Sequence, residues 1–382
     1  MTDQQAPETG AHTSYIPVPA PGRFSWRAAG ESAWRIAVPV AIALAVGAIA
    51  LLLGGANPIE IYGMLVQEAF GDAARINATL TAATPLLFTG LAAAIAFRGG
   101  VFNVGVEGSF GFAGLAAAVV GVNVGGLPPV LAITACLLAG MVAGMAVALV
   151  PAILRTWLGV DEVVSTLMFN FIVTGVTAWL VQSFFLAPGQ ANSATEYVAA
   201  SAELPLLAPP GQLNAGFLCA LILVACYGVW IKRSQLGFEF DAVGKTARFS
   251  MAQGLRVRTV LMSAMLISGA IGGLGGAVHA LGVVHRFSVG FSASFGFTGI
   301  AIALLARFNP VGVVIGSVAF GALAAAGATV QLFVNIPIQL ISILQGTIMM
   351  LAVAQFAIPR LVRARRAKQQ DRQQHQQAEV SA

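Results

Sequence analysis

The sequence predicts an all-α polytopic membrane protein of about ten transmembrane helices, with its N- and C-termini in the cytoplasm. Three observations carry this. Only 9% of the 382 residues are charged and 58% are hydrophobic, against roughly 25% charged residues in an ordinary soluble domain. The apolar runs are continuous and about 20 residues long, the length a helix needs to cross the hydrocarbon core. A transmembrane barrel would instead show short alternating strands. Lysine and arginine, 20 in all, fall almost entirely on one side of the resulting topology.

Residues 1–34 are polar, with Pro17, Pro19 and Pro21 close together. They read as a flexible cytoplasmic tail, too long before the first apolar run to be a cleaved signal peptide. The transmembrane domain then covers 35–358. Its apolar segments lie near 35–55, 79–97, 106–125, 129–150, 163–186, 213–231, 259–283, 294–306, 310–332 and 336–358, the eighth of them short. The stretches 56–78 and 187–212 are the longest external connections, and Pro188, Pro205, Pro209, Pro210 and Gly211 suit the second to a loop. With the N-terminus inside, only Arg75 and Arg286 of the basic residues fall outside. Residues 359–382 read as a basic cytoplasmic tail, most simply a stop-transfer signal that contacts anionic membrane lipid, with a partner-docking role as the alternative.

Chemistry-bearing residues are sparse. Cys136, Cys219 and Cys226 lie in apolar runs, and His12, His279, His285 and His375 are scattered, so neither a disulfide framework nor metal-ligand spacing is present. No nucleophile–base pair suggests an enzyme, and no nucleic-acid partner is expected. Facing carboxylates for a proton or sodium relay are missing too, which counts against an ion-driven carrier.

Three stretches depart from ordinary membrane helix. Phe97 to Gly108 holds four glycines, Asn103, Arg98 and Glu107. Polar side chains and non-helical backbone at membrane depth belong against protein or a cavity. One reading is a broken or re-entrant segment with Asn103 and Glu107 turned inward. The other is a tight cytoplasmic turn, with Glu107 placed near a helix N-terminus for its dipole. Asp161 and Glu162 open the fifth segment as helix N-terminal carboxylates, and Asn170 lies about 12 Å further along that helix at 1.5 Å per residue. There it bonds a neighbouring helix or a ligand. Ser234 to Arg258 is the longest internal loop; its Phe238, Phe240, Val243, Phe249, Met251 and Leu255 are too apolar for a merely solvated segment. A short cytoplasmic helix that docks a protein, or one that lies on the inner leaflet, fits this pattern. Gly244-Lys245-Thr246 within it mimics the end of a phosphate-binding loop, but residue 239 is Glu where the first glycine of that loop would stand, and no strand precedes it. No ATP site is expected in this chain.

A short internal echo links Ser109–Ala116, S-F-G-F-A-G-L-A, to Ser294–Ala301, S-F-G-F-T-G-I-A. In this topology the two copies run in opposite senses, as in an inverted repeat. Chance similarity in so apolar a chain is the alternative.

Together the three stretches resemble one family. The segment G-L-A-A-A-I-A-F-R-G-G-V-F-N-V-G-V-E-G (90–108), the segment D-E-V-V-S-T-L-M-F-N (161–170) and the segment G-F-E-F-D-A-V-G-K (237–245) resemble, in order and spacing, the signatures of bacterial ABC importer permeases of the branched-chain amino acid and simple-sugar group. The nearest branch is the nucleoside permeases, of the longer of two paired subunit types. This chain departs from the family at Ser109, at Asp241 and Thr246, and along Arg248–Leu255.

The resemblance implies a permease of the bacterial cytoplasmic membrane that binds no cofactor or metal itself. ATP is used by a separate ABC ATPase subunit, a second permease subunit (an unlike one is favoured) completes the membrane dimer, and an extracellular binding protein delivers substrate. Gly237, Phe238, Glu239, Asp241, Ala242, Val243, Gly244 and Lys245 form the coupling loop that docks the ATPase. Phe102, Asn103, Glu107, Phe169 and Asn170 line or shape the substrate path. A sugar or branched-chain amino acid permease is the alternative within the class, and a stand-alone secondary transporter the alternative outside it.

Overall fold

A computed structural model describes residues 57–189 and 193–334, with scattered positions between 41 and 55 and between 343 and 350. The two tails (1–34 and 359–382), most of the first apolar segment and most of the tenth lie outside the described residues. Among those described the fold is helical, and seven helices are long and apolar enough to cross a membrane.

The stretch 56–78, expected as a plain connection, carries a helix, α1 (Pro58–Phe70). Asn57 caps it by accepting from Ile59 N at 3.1 Å, and Pro58 pre-sets its first turn. Ile61, Leu65 and Ala69 recur at four-residue spacing and bury one face against Ala322, Ala326 and Val330. α2 (Ala73–Arg98) begins at Asp72, whose carboxylate accepts from Arg75 N at 2.8 Å. It is the central helix and is buried on all sides from Ala83 to Ala96.

α3 (Val106–Asn123), α4 (Pro129–Leu158) and α5 (Glu162–Phe184) follow. α4 stops at Gly159, which takes the left-handed conformation (φ 68°) that ends helices without a Cβ penalty. Asp161 then caps α5, accepting from Val163 N and Val164 N at 3.0 Å each, and Glu162 pairs with Arg155 at 3.0 Å. The loop 187–212 leads to α6 (Ala215–Arg233), capped by Asn214. Two short helices, α7 (Gln235–Lys245) and α8 (Ala247–Ala252), occupy the long internal loop. α9 (Val257–His279) ends in a wider π turn, Ala280–Val284. α10 (Phe295–Leu305) is short and α11 (Pro310–Val334) long.

Close backbone approach organises the bundle. Gly140 and Gly144 of α4 face Gly269 and Gly273 of α9: a Cβ on Gly144 would lie 2.6 Å from Gly273 Cα, and one on Gly273 2.5 Å from the Gly140 carbonyl. Membrane helices gain no hydrophobic effect from one another in lipid, so small residues that admit such van der Waals contact carry the association.

The packing has an internal symmetry. α2 packs on α10 and α11 as α9 packs on α3 and α4. α2 and α9 also pack on each other in opposite directions, with Gly99 beside Ala264 and Phe88 beside Gly275. The triplet α2–α3–α4 therefore recurs, inverted, as α9–α10–α11. The sequence echo extends further than Ser109–Ala116: Phe102, Val104 and Gly105 recur at the same offset as Phe287, Val289 and Gly290.

Gly144→Val is expected to cost about 1–3 kcal/mol through overpacking, read as a lowered thermal transition of the purified protein. Gly63→Val, where an added Cβ meets nothing within 4 Å, leaves that transition in place.

Candidate functional site: two broken helices and a cytoplasmic docking helix

The stretch 98–108 is a broken segment. α2 ends at Arg98, Gly100 turns the chain at φ 86°, and Val101 to Asn103 take no regular structure before α3 starts at Val106. Val106 lies against Gly272, midway along the span Val257–Val284. α3 thus begins deep in the bundle, not at its edge, and the reading of 98–108 as a simple turn at the surface is corrected.

Backbone outside a helix at this depth needs partners. Asn170 on α5 supplies two: its Oδ1 accepts from Gly108 N at 3.0 Å and its Nδ2 donates to the Val104 carbonyl at 2.9 Å. Thr166, one turn earlier, accepts from Val104 N at 3.2 Å. Asn103 folds back so that its Oδ1 accepts from Gly105 N at 2.9 Å, while its Nδ2 donates to Ser268 Oγ of α9 at 3.0 Å. Asn103 is 1% exposed and Asn170 5%. Both asparagines hold the break, their amide atoms committed to protein.

The second break lies between α9 and α10. His285 and Gly290 take positive φ (55° and 89°), and the 187–212 loop supplies the partners here. Thr195 N donates to the Phe287 carbonyl at 2.9 Å, Phe287 N to Thr195 Oγ1 at 3.0 Å, and Val198 N to the His285 carbonyl at 2.9 Å. Arg286 sits over the Tyr197 ring, 4.8 Å from its centroid.

Glu107 joins the two breaks. Its carboxylate accepts from Ser292 Oγ and from Gly296 N, each at 2.6 Å, with the N–H groups of Phe297 and Ser294 also turned on it. A carboxylate there satisfies the first-turn donors of α10 and its positive dipole end. Beside it opens a cavity of about 140 Å³, walled by α3, α5 and the 287–292 segment.

Of the five path residues expected from the sequence, only Glu107 reaches this cavity. Phe102 stacks on Phe97 at 4.4 Å, in the core and away from it. Phe169 is half-buried on α5, outside the cavity wall. The wall residues Gly111, Thr177, Phe291 and Ser292 were not singled out. Extending the internal echo leftward would have aligned Ser292 with Glu107. Among the described residues no cluster of three or more His, Cys, Asp or Glu is placed to hold a metal.

The internal loop forms the second element. Ser234 caps α7, accepting from Gly237 N at 2.9 Å. The helix presses Phe240 and Val243 into the core, with Phe240 edge-on to Trp230 at 5.0 Å. Its other face leaves Phe238 68% exposed, and Phe249 and Met251 of α8 are exposed beside it. Gly244 lies directly on the Arg98 carbonyl, close to Gly100, so no side chain fits between α7 and the first break. Asp241 bridges Arg98 at 3.2 Å and Lys245 at 2.6 Å. Burial alone would raise the Asp241 carboxyl, but the hydrogen bond and charge of Lys245 and the charge of Arg98 outweigh it and hold the group below its usual 3.8.

Inverted halves, helices broken midway and a short helix seated on one of the breaks suit a membrane transport subunit. Comparison with known proteins places it further. The family model for the branched-chain amino acid transport system, permease component, matches residues 75–353, and the chain belongs to that family. It is similar to the guanosine ABC transporter permease protein NupP of Bacillus subtilis, 32% identical over 84% of this chain and 93% of that one. It is similar also to the nucleoside ABC transporter permease protein NupB of Lactococcus lactis, 29% identical over 84% and 90%, and to a glucose ABC transporter permease protein of Haloferax volcanii, 31% identical over 82% and 85%. In the first two organisms a second, more distant permease of the same description also matches. No solved structure matches. The chain is a multi-pass permease subunit of an ABC import system in the cytoplasmic membrane.

Asn170→Leu strands the Gly108 N–H and the Val104 carbonyl, at about 1–3 kcal/mol for each buried group left unsatisfied, and a thermal melt of the purified protein reads the loss. The Asp241 carboxyl is depressed in the folded state, so its contribution is complete above the usual carboxylate pKa and disappears as pH falls through the lower folded value. At these partly exposed positions it amounts to about 1 kcal/mol at most. Asp241→Asn is expected to speed amide exchange along 235–245 at pH 7, and the difference from wild type closes on acidification below 3.8.

Proposed function

We propose that this chain is the membrane-spanning subunit of an ATP-driven importer of nucleosides. A separate ABC ATPase supplies the energy, and this chain binds no ATP of its own. A second permease, unlike this one in sequence, completes the membrane dimer, and an external binding protein delivers the cargo. The similarity to nucleoside and guanosine permeases over most of both chains supports the cargo, and the paired permeases in those two organisms support an unlike partner.

The observation that carries the coupling role is the seat of Gly244 on the Arg98 carbonyl. A push on α7 from below reaches the first break through backbone, with no flexible side chain between. In this role Gly237 and Val243 hold the helix to the membrane domain. Phe238 and Lys245 face the ATPase, and Glu239, Asp241 and Ala242 lie at the margin. Asn103, Asn170 and Phe102 shape the path by fixing the break, Glu107 borders it, and Phe169 stands on the helix that forms its wall. An ATPase that binds one arrangement of α7 more tightly than the other shifts the equilibrium between outward and inward states.

A simple-sugar cargo is the second reading, favoured by the glucose permease among the relatives. Guanosine and glucose share adjacent hydroxyls on a ring, so both readings ask the path to recognise hydroxyl donors.

The test is uptake of labelled guanosine by cells that lack the gene, complemented with wild type or with Gly244→Asp. Wild type is expected to restore uptake. Gly244→Asp is expected to reach the membrane, fail to restore uptake and no longer co-purify with the ATPase. Full guanosine uptake without the gene, in cells with no second system, would overturn the cargo assignment.

A further inference from the structure

We infer that the cavity where the two broken helices meet is a cargo subsite that receives hydrogen-bond donors of a neutral ligand and refuses anions. The inference rests on the importer reading above and says what that path selects.

The internal repeat locates it. Glu107 and Ser292 occupy equivalent places in the two halves, 185 residues apart, and they hydrogen-bond to each other. Their contact therefore lies where the two halves meet. The halves are not equal there. Glu107 packs directly over Gly296, so that a Cβ on that glycine would meet Glu107 Cα at 2.6 Å. The equivalent of Gly296 is Gly111, and over it the backbone of the 287–292 segment stands off: a Cβ on Gly111 would meet nothing within 4 Å. The cavity is the space left where Ser292 does not close on Gly111 as Glu107 closes on Gly296.

Several polar groups of its wall already donate to partners within the protein. Ser292 Oγ donates its hydrogen to Glu107 at 2.6 Å, and Thr177 Oγ1 donates to the Val173 carbonyl at 2.6 Å. The backbone N–H groups of Val289 and Phe291 donate to the Ser193 and Ser288 carbonyls, at 3.0 and 2.9 Å. What remains is oxygen lone pairs, the Glu107 carboxylate and the backbone N–H groups of Gly290 and Ser292, set among apolar surface, with the Thr174 hydroxyl free to turn either way. Hydroxyl or N–H groups of a ligand are complementary to that wall. A phosphate or carboxylate would meet the like charge of the Glu107 carboxylate at the cavity wall. At about 140 Å³ the cavity is smaller than a whole small-molecule site, about 300 Å³ or more, and holds one ring of the cargo. The subsite thus admits a nucleoside or sugar and rejects a nucleotide, a sugar phosphate or an amino acid.

The test uses the assembled importer in proteoliposomes, with Gly111→Cys introduced after Cys136, Cys219 and Cys226 are replaced by alanine. Guanosine is expected to slow modification of Cys at 111 by a thiol reagent, and guanosine 5′-monophosphate at the same concentration to leave the rate unchanged. Separately, Thr177→Val, which removes one acceptor without changing shape, is expected to raise the KM for guanosine uptake about tenfold, the scale of one lost hydrogen bond. Protection by both ligands or by neither, in an importer that carries guanosine, overturns the subsite. If the wild-type importer carries glucose but not guanosine, the nucleoside reading fails; protection by glucose and not by glucose 6-phosphate then still supports the subsite, and the reverse pattern overturns it.

Discussion

The structure depends on one constraint, the need to satisfy peptide groups that leave the helix in the middle of a membrane domain. Between Arg98 and Val106 the chain cannot bond to itself as a helix does, and hydrocarbon offers nothing in return. The side chains that meet this demand are Asn170 and Thr166 from α5 and Asn103, itself held by Ser268 of α9, while α7 packs Gly244 against the Arg98 carbonyl. Each partner that closes the break is also bound to it. The groups between α7 and the helices around the cavity are hydrogen-bonded backbone and close-packed glycine, and on the proposed function a displacement of α7 would pass through them.

The inverted repeat explains why there are two such breaks and why they meet. Running the same helix–break–helix pattern in opposite senses brings both interrupted helices to a common depth. α10, with eleven residues, spans about 16 Å at 1.5 Å per residue, roughly half the 30 Å hydrocarbon core. The halves then diverge in chemistry. The first break is held by a membrane helix and touched by the cytoplasmic helix, whereas the second is held by the loop 187–212 from outside the bundle.

Much of this was legible in the sequence. Composition and run length fix the all-α membrane class, and the short eighth segment, 294–306, is α10 almost to the residue. The polar interruption at 98–108, the acidic start of α5 and the apolar character of 234–258 each mark real elements. Less was legible wherever meaning depends on contact between distant residues. Asn103 and Asn170 look like ligand side chains in one dimension, and only the fold shows the Asn170 amide turned to backbone 62 and 66 residues away and the Asn103 amide turned to Gly105 N and the Ser268 hydroxyl. Helix α1 was hidden because Asn57, Glu60 and Gln67 dilute an apolar stripe whose spacing is four residues. The cavity was hidden because it depends on how closely distant backbone approaches Gly111, which no local pattern records.

The central claim is that the cytoplasmic helix and the first break move as one unit. The most direct measurement is amide exchange of the assembled importer, compared with and without ATP bound to a hydrolysis-deficient ATPase. Coupled motion predicts that exchange changes together along 235–245 and at Val104, Gly105 and Gly108. A change confined to 235–252, with the break unaltered, would contradict it.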